Sequence, residues 1–298
     1  MSCDVALVTY RDLPELDADD RPLAAALRAR ELEVAIVAWD ELDFDWGTAR
    51  LVFLRNPWDY FRRLDEFLAW SERVSAVTTL LNPLPALVWN LHKGYLVELA
   101  AFGAPVVPTA LLRRGTTVDV AALRAERGWR DVVLKPAVSA DSWETHRLTA
   151  AEVGLAQQHV DRLLPERDLL LQPFLDTVES YGERCLIHIE GAYSHAVRKN
   201  SLTHGGRWAG LPEGTPVEAT PEERAAAELV LGACPWGDLL YARVDLVHDV
   251  SGRPLLLELE LVEPTLFVAG EPAGLERLVN AVVRRLEGAR QPRGSLLA

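Results

Sequence analysis

Two acidic residues interrupt an apolar run late in the chain, Leu255-Leu256-Leu257-Glu258-Leu259-Glu260-Leu261-Val262. Alternate side chains of a β-strand point to one side, so Glu258 and Glu260 share a face. Asp245 lies in an earlier apolar run, Ala242-Arg243-Val244-Asp245-Leu246, and the turn signal Asp249-Val250-Ser251-Gly252-Arg253 folds it back toward them. Carboxylates in such surroundings are costly unless a cation neutralises them. Hard oxygen donors suit Mg²⁺, which binds through a few carboxylates together with nucleotide phosphates. A solvent-facing side of an antiparallel sheet gives the same alternation, so these acids become informative only beside the chain's cations.

Lysine and arginine total 31, yet only Lys93, Lys135 and Lys199 are lysines. A solvated position accepts either cation, whereas a site built for a compact ammonium does not accept a planar guanidinium. The three lysines are therefore candidate site residues. Phosphoryl transfer needs fixed positive charge around the β- and γ-oxygens of a nucleotide. A GxxxxGK[ST] loop and a Ser-His-Asp set are both missing from the sequence, and the nine tryptophans read as core or loop anchors. Arg55, in Leu54-Arg55-Asn56-Pro57-Trp58, follows the C-terminal end of a predicted strand. Open α/β sheets bind ligands there, and Arg55 is expected to pair with a substrate carboxylate in bidentate fashion. His204, Gly205 and Gly206 lie in a long loop expected to fold over the substrate.

The elements that must position these residues fall into three blocks. Val5–Thr9, Val34–Trp39 and Leu51–Arg55 read as buried strands, with helices over Asp19–Arg30 and Asp59–Ala76. That order implies a small parallel α/β domain over residues 1–88. Ala86–Phe102 reads as one helix. Val106–Leu112, Asp131–Pro136 and Asp168–Phe174 read as strands alternating with helices over Asp119–Arg127 and Thr149–Leu164, a lid-sized block over 89–171. From 172 to 290 the pattern is antiparallel: a hairpin about Gly191, a Gly- and Pro-rich loop, a helix opening at Thr220-Pro221-Glu222-Glu223, two long strands, and a last helix over Ala273–Glu287. Residues 291–298 read as a loose tail.

Composition narrows the function classes. The chain has 298 residues, 49% hydrophobic and 25% charged, with a formal net charge of −13. This is a packed globular composition, and its negative surplus opposes sequence-independent binding to nucleic acid or anionic membranes. Cys3, Cys185 and Cys234 form no CxxC pair, so neither a disulfide framework nor a zinc site is expected from cysteine spacing. Neither a signal-peptide pattern nor an apolar run near the roughly 20 residues of a membrane span appears. A cytoplasmic protein acting on a small molecule is expected, and self-association into a homo-oligomer stays open.

The segment Glu258-Leu259-Glu260-Leu261-Val262-Glu263-Pro264-Thr265 resembles the metal-binding strand of the ATP-grasp superfamily, in which an E-x-N or E-x-E pair is followed shortly by a proline. The resemblance spans nearly the whole chain. It implies an ATP-grasp fold with a Rossmann-like N-terminal domain, a small lid and an antiparallel ATP-binding base. It implies ATP and Mg²⁺, two ions, held by Asp245, Glu258 and Glu260. Asn90-Leu91-His92-Lys93 is similar to the helix carrying the superfamily's first phosphate-contacting lysine, and Val133-Leu134-Lys135-Pro136 to the lid strand carrying its second. His195-Ala196-Val197-Arg198-Lys199 lies where related enzymes place basic residues near the γ-phosphate or the substrate carboxylate, so Lys199 or Arg198 is given that role. Arg243 is given the acyl-phosphate oxygens, and Glu263 the substrate side. Gln172-Pro173-Phe174-Leu175 resembles the hinge that reads adenine, with Glu183, or Glu179 in its place, for the ribose hydroxyls. Family members often carry a glycine-rich lid loop. This chain has Pro136-Ala137-Val138-Ser139-Ala140-Asp141-Ser142 instead, and Ser139 and Ser142 are expected to donate there.

Within the superfamily the runs RNPWDY, WNLHKGYL, LKPAVSA and HAVRK look closest to the D-cycloserine-forming cyclo-ligase group. That resemblance implies activation of the carboxylate of O-ureido-D-serine as an acyl-phosphate and ring closure by an internal nitrogen. An intermolecular amino-acid ligase of glutathione-synthetase type is the nearest enzymatic alternative. A kinase releasing a phosphorylated product and a non-catalytic nucleotide-binding regulator are the others. The complete set of three acids and three lysines argues against the regulator, because a binding module tolerates their loss.

Overall fold

The computed structural model describes residues 2–140, 142–199 and 214–290. The first sheet contains β1 (Cys3–Thr9), β2 (Val34–Ala38), β3 (Ala49–Leu54) and β4 (Thr79–Leu81), in the order β2-β1-β3-β4 with all pairs parallel. Val5–Val8 of β1 is a continuous apolar run because both faces of a parallel sheet are covered. The short strand β4 was not anticipated. Helix α1 (Arg21–Arg28) is shorter than the spacing implied, and α2 (Leu64–Val77) follows β3.

The single helix expected over Ala86–Phe102 is two helices, α3 (Leu84–Asn90) and α4 (Tyr95–Ala101), interrupted at Lys93. The Lys93 amide is spent outside the helix, donating 2.7 Å to the carbonyl of Ala137. Gly94 allows the break, since a Cβ there would lie 2.7 Å from the His92 ring.

The second sheet is antiparallel, in the order β5-β8-β6-β7. It comprises β5 (Ala110–Leu112), β6 (Val132–Pro136), β7 (His146–Leu148) and β8 (Leu169–Pro173), backed by α5 (Val120–Arg127) and α6 (Val153–Leu163). Its interior holds Leu134, Leu148, Val160 and Leu171. The extended segment expected from Val106 is strand only from Ala110.

After the short helix α7 (Thr177–Ser180) comes the third sheet, antiparallel in the order β11-β10-β9-β12-β13. Its strands are β9 (Glu183–Ile189), β10 (Ala192–Lys199), β11 (Thr215–Val217), β12 (Tyr241–His248) and β13 (Pro254–Glu260). Helix α8 (Pro221–Ala233) starts as its sequence signals, with Thr220 and Glu223 forming a capping box. Helix α9 (Pro272–Arg290) returns to the first sheet, and Leu278, Val279 and Val282 share one core with Leu7, Phe53, Ile187 and Tyr241. No helix among the described residues is long and apolar enough to cross a membrane.

β13, which carries Glu258 and Glu260, is an edge strand of its sheet. Unpaired backbone groups on a buried edge must find other partners. Asn90 accepts from the Leu261 amide and donates to the Leu259 carbonyl, both at 2.8 Å. The Tyr95 hydroxyl donates 2.8 Å to that same carbonyl and accepts from the Leu259 amide at 3.0 Å. The helix pair that delivers Lys93 therefore also pins the acidic strand in register.

Candidate active site

A cleft of about 1360 Å³ opens where the three sheets meet. That exceeds the roughly 300–1,000 Å³ of an ordinary small-molecule site, leaving room for a nucleotide and a second substrate together. Lys93, Lys135, Lys199, Arg243, Asp245, Glu258, Glu260 and Glu263 all line it.

Strand register explains the base of the cleft. Asp245 of β12 pairs directly with Glu258 of β13, and Arg243 with Glu260. Alternation therefore puts all four side chains on one face. The Arg243 fork grips Asp245, with Nε and Nη2 each donating at 2.8 Å. Its Nη2 also pairs with Glu260, and Nη1 donates 3.1 Å to the Thr265 carbonyl. Lys199 Nζ lies 3.1 Å from Asp245 and 2.7 Å from Glu183. Lys93 Nζ lies 3.1 Å from Glu258 and donates 2.6 Å to the Ser139 carbonyl. Lys135 Nζ stands 3.9 Å from the other oxygen of Glu258.

Titration follows from this crowding. Burial opposes charge on Asp245, but Arg243 and Lys199 outweigh it and hold the carboxyl far below its ordinary range. Glu258 is likewise held low by Lys93 and Lys135 against its burial. Burial pushes the Lys135 ammonium down, with Lys93 adding repulsion and Glu258 opposing. Two acids go the other way. Burial, reinforced by Asp245 and Glu258, pushes Glu260 up to about 7 in spite of Arg243. Burial with Glu260 beside it pushes Glu263 up to about 8. Five carboxylates, counting Glu183, thus face four cations. A cleft floor short of positive charge and furnished with oxygen donors fits a hard divalent cation. Asp245, Glu258 and Glu260 are the residues that would hold it. Arg243 bridges Asp245 and Glu260 here while Lys93 pairs with Glu258, and among the described residues Glu183, Cys185 and Asp245 have ligand atoms within 4.8 Å of one another.

The expected hinge also lines the cleft. Gln172 is buried and donates 2.9 Å to the Thr109 hydroxyl, the Phe174 amide donates 2.8 Å to the Asp131 carbonyl, and Pro173 and Leu175 border the space. The Arg147 guanidinium sits 3.6 Å over the Phe174 ring. Ser139 faces the cleft, holding Lys93 through its carbonyl.

Three expectations are corrected. Arg55 is fully buried and absent from the cleft lining. Its fork is consumed by Asp20 at 2.7 Å and by the Pro264 carbonyl at 2.7 Å, so it fastens the first sheet to the segment after β13 and is not available to a substrate. Arg198 is turned away from the cleft because alternation along β10 sends Lys199 inward, and it donates 3.1 Å to the Ser180 carbonyl. Glu179 is bound to Arg147 outside the cleft lining, which leaves Glu183 as the acid inside it. His204, Gly205 and Gly206 lie outside the described residues.

Sequence reasoning missed other parts of the wall. Trp58, Tyr60, Asp19, His195 and Phe267 all face the cleft. His195 is fixed by the Leu266 carbonyl at 2.8 Å and the Ser194 hydroxyl at 2.9 Å. Nothing in their spacing singles these residues out. Asn90 is the exception, since it opens the Asn90-Leu91-His92-Lys93 pattern.

Residues 5–82 match the family model for the N-terminal domain of D-cycloserine synthetase DcsG. The cycloserine biosynthesis protein DcsG of Streptomyces lavendulae is 34% identical over 304 residues, covering 95% of this chain and 99% of that protein. The crystal structure of D-cycloserine synthetase DcsG superposes with a TM-score of 0.88 at 34% identity, over 95% of this chain and 99% of that one. The ATP-grasp ligase PsnB, solved with a minimal precursor, Mg and ADP, shares the fold at a TM-score of 0.64 and 18% identity, over 96% of this chain and 99% of that one.

Proposed function

The chain belongs to the D-cycloserine synthetase family of ATP-grasp ligases, and on that premise we propose that this ATP-dependent ligase closes O-ureido-D-serine to the D-cycloserine ring. The observation that carries the reading is the convergence of Lys93, Lys135, Lys199 and Arg243 on Glu258 and Asp245 inside a cleft large enough for two ligands. In this reading residues 1–88 form the N-terminal domain, 89–171 the lid and 172–290 the base. The enzyme works in the cytoplasm on a small molecule.

The hinge Gln172–Leu175 takes the adenine edge, and Glu183 the ribose. Lys93 and Lys135 neutralise the nucleotide phosphates. Asp245, Glu258 and Glu260 would hold two Mg²⁺ ions, which would add to the neutralisation of the phosphate charge. Arg243 and Lys199 orient the substrate carboxylate. One carboxylate oxygen attacks the γ-phosphorus, the new O–P bond forms, and ADP leaves. The internal nitrogen then attacks the acyl carbon and phosphate departs with that oxygen. Comparison of the two formulas requires the carbamoyl group on the nitrogen to be lost as well, by hydrolysis.

Substrate labelled with ¹⁸O in its carboxylate tests the activation step. Mass analysis of the released inorganic phosphate is expected to find one labelled oxygen. Phosphate without label would rule out the acyl-phosphate.

A further inference from the structure

Behind the lid side of the cleft, three side chains unused by this chemistry converge. Ser142, Trp143, Thr145 and Arg147 line the cleft, while the intervening Glu144 and His146 turn to the back, against α6. His146 Nε2 lies 2.8 Å from a Glu144 oxygen. The His146 ring stacks on His159 of α6 with centroids 3.8 Å apart and planes 24° from parallel. One ligand atom from each of the three side chains lies within 4.8 Å of the other two. Arg162, one turn beyond His159, holds Glu144 through Nη1 at 3.1 Å and Nη2 at 2.6 Å, and its Nη2 stands 3.3 Å from His159 Nδ1.

We infer that Glu144, His146 and His159 form a binding site for a borderline divalent transition metal such as Zn²⁺, separate from the Mg²⁺ site of the cleft. Two imidazoles and one carboxylate are a donor set that favours Zn²⁺, whereas the oxygen donors of the cleft favour Mg²⁺. Three protein ligands leave a fourth position for water. An imidazole must be neutral to ligate. Arg162 is the resident competitor, and a metal displaces it from Glu144 and turns one of the two stacked rings, because an imidazole donates in its own plane. The ligands come from the back of the cleft wall and from α6, so a bound ion clasps that wall to the helix.

The test uses the full chain, stripped of metal and then saturated with Mg²⁺ and ADP so that the cleft carboxylates are engaged. Zn²⁺ is titrated in competition with a chromogenic chelator. One Zn²⁺ per chain is expected, with His159→Ala weakening it by more than about 100-fold, since even partners that only orient a ligand are worth roughly 10–100-fold. His159→Ala is expected to keep its ADP binding and melting temperature in the absence of Zn²⁺. Arg162→Gln, which frees Glu144, is expected to bind Zn²⁺ more tightly than the wild type. Equal uptake by the wild type, His159→Ala and His146→Ala would overturn the proposal. So would uptake abolished by Cys185→Ser but untouched by His159→Ala, because the ion would then be in the cleft.

Discussion

Replacing Glu258 with glutamine is expected to lower kcat for ADP release by about 10³-fold, the upper range for deleting one preorganised electrostatic contact in a reaction centre. Glu258 is the acid on which two lysines of the cleft converge, with Lys93 at 3.1 Å and Lys135 at 3.9 Å. It also pairs across the strands with Asp245. Glutamine keeps the volume and loses the charge, so the proposed metal ligand and the counter-charge that sets the two ammoniums are lost together. Removing one partner of a fully buried ion pair costs about 3–5 kcal/mol. The Glu258 side chain keeps 25% exposure, and Lys93 retains the Ser139 carbonyl, so the loss of stability is expected to be smaller than that. Thermal unfolding separates the two effects: a melting temperature near wild type with turnover nearly gone. Turnover near wild type in a folded variant would remove Glu258 from the reaction centre.

Changing Arg243 to lysine is expected to reduce kcat by about 10²–10³-fold. The guanidinium holds Asp245 through two nitrogens and reaches Glu260 and the Thr265 carbonyl with the same fork. An ammonium is a point charge and cannot span these directions. Lys199 remains 3.1 Å from Asp245, so that buried carboxylate is not stranded and the fold is expected to survive. The informative measurement is the split between ligands. KM for the carboxylate substrate is expected to rise, while the affinity for Mg²⁺ and ATP changes little. A kcat within about tenfold of wild type would mean that Arg243 organises the strand pair and does not hold the reacting carboxylate.

The site residues most legible in the sequence are those whose chemistry conflicts with their surroundings. Glu258 and Glu260 stand out because their neighbours are leucines. The three lysines stand out because arginine fills nearly every other basic position. The choice between Arg198 and Lys199 needed the register of β10, which shifts between Tyr193 and His195 before settling the alternation. Arg55 was misread because the end of a parallel strand is a place both for ligands and for fasteners, and only its partners Asp20 and Pro264 decide which. Asn90 and Tyr95 bind the backbone of β13 from more than 160 residues away, which local pattern does not reveal. The fold was legible where periodicity was sustained, as in β1, β12 and β13. It was not where three residues suffice for a strand, as in β4 and β7, or where an amide is recruited by another segment, as at Lys93.

The most direct measurement is Mg²⁺-dependent ADP release with O-ureido-D-serine as the only carboxylate, beside a panel of amino-acid pairs, with the products identified by mass. ADP formed with O-ureido-D-serine alone, together with the mass of the closed D-cycloserine ring, is the result this account predicts. ADP formed only when a separate amine is supplied would contradict it and make the protein an intermolecular ligase.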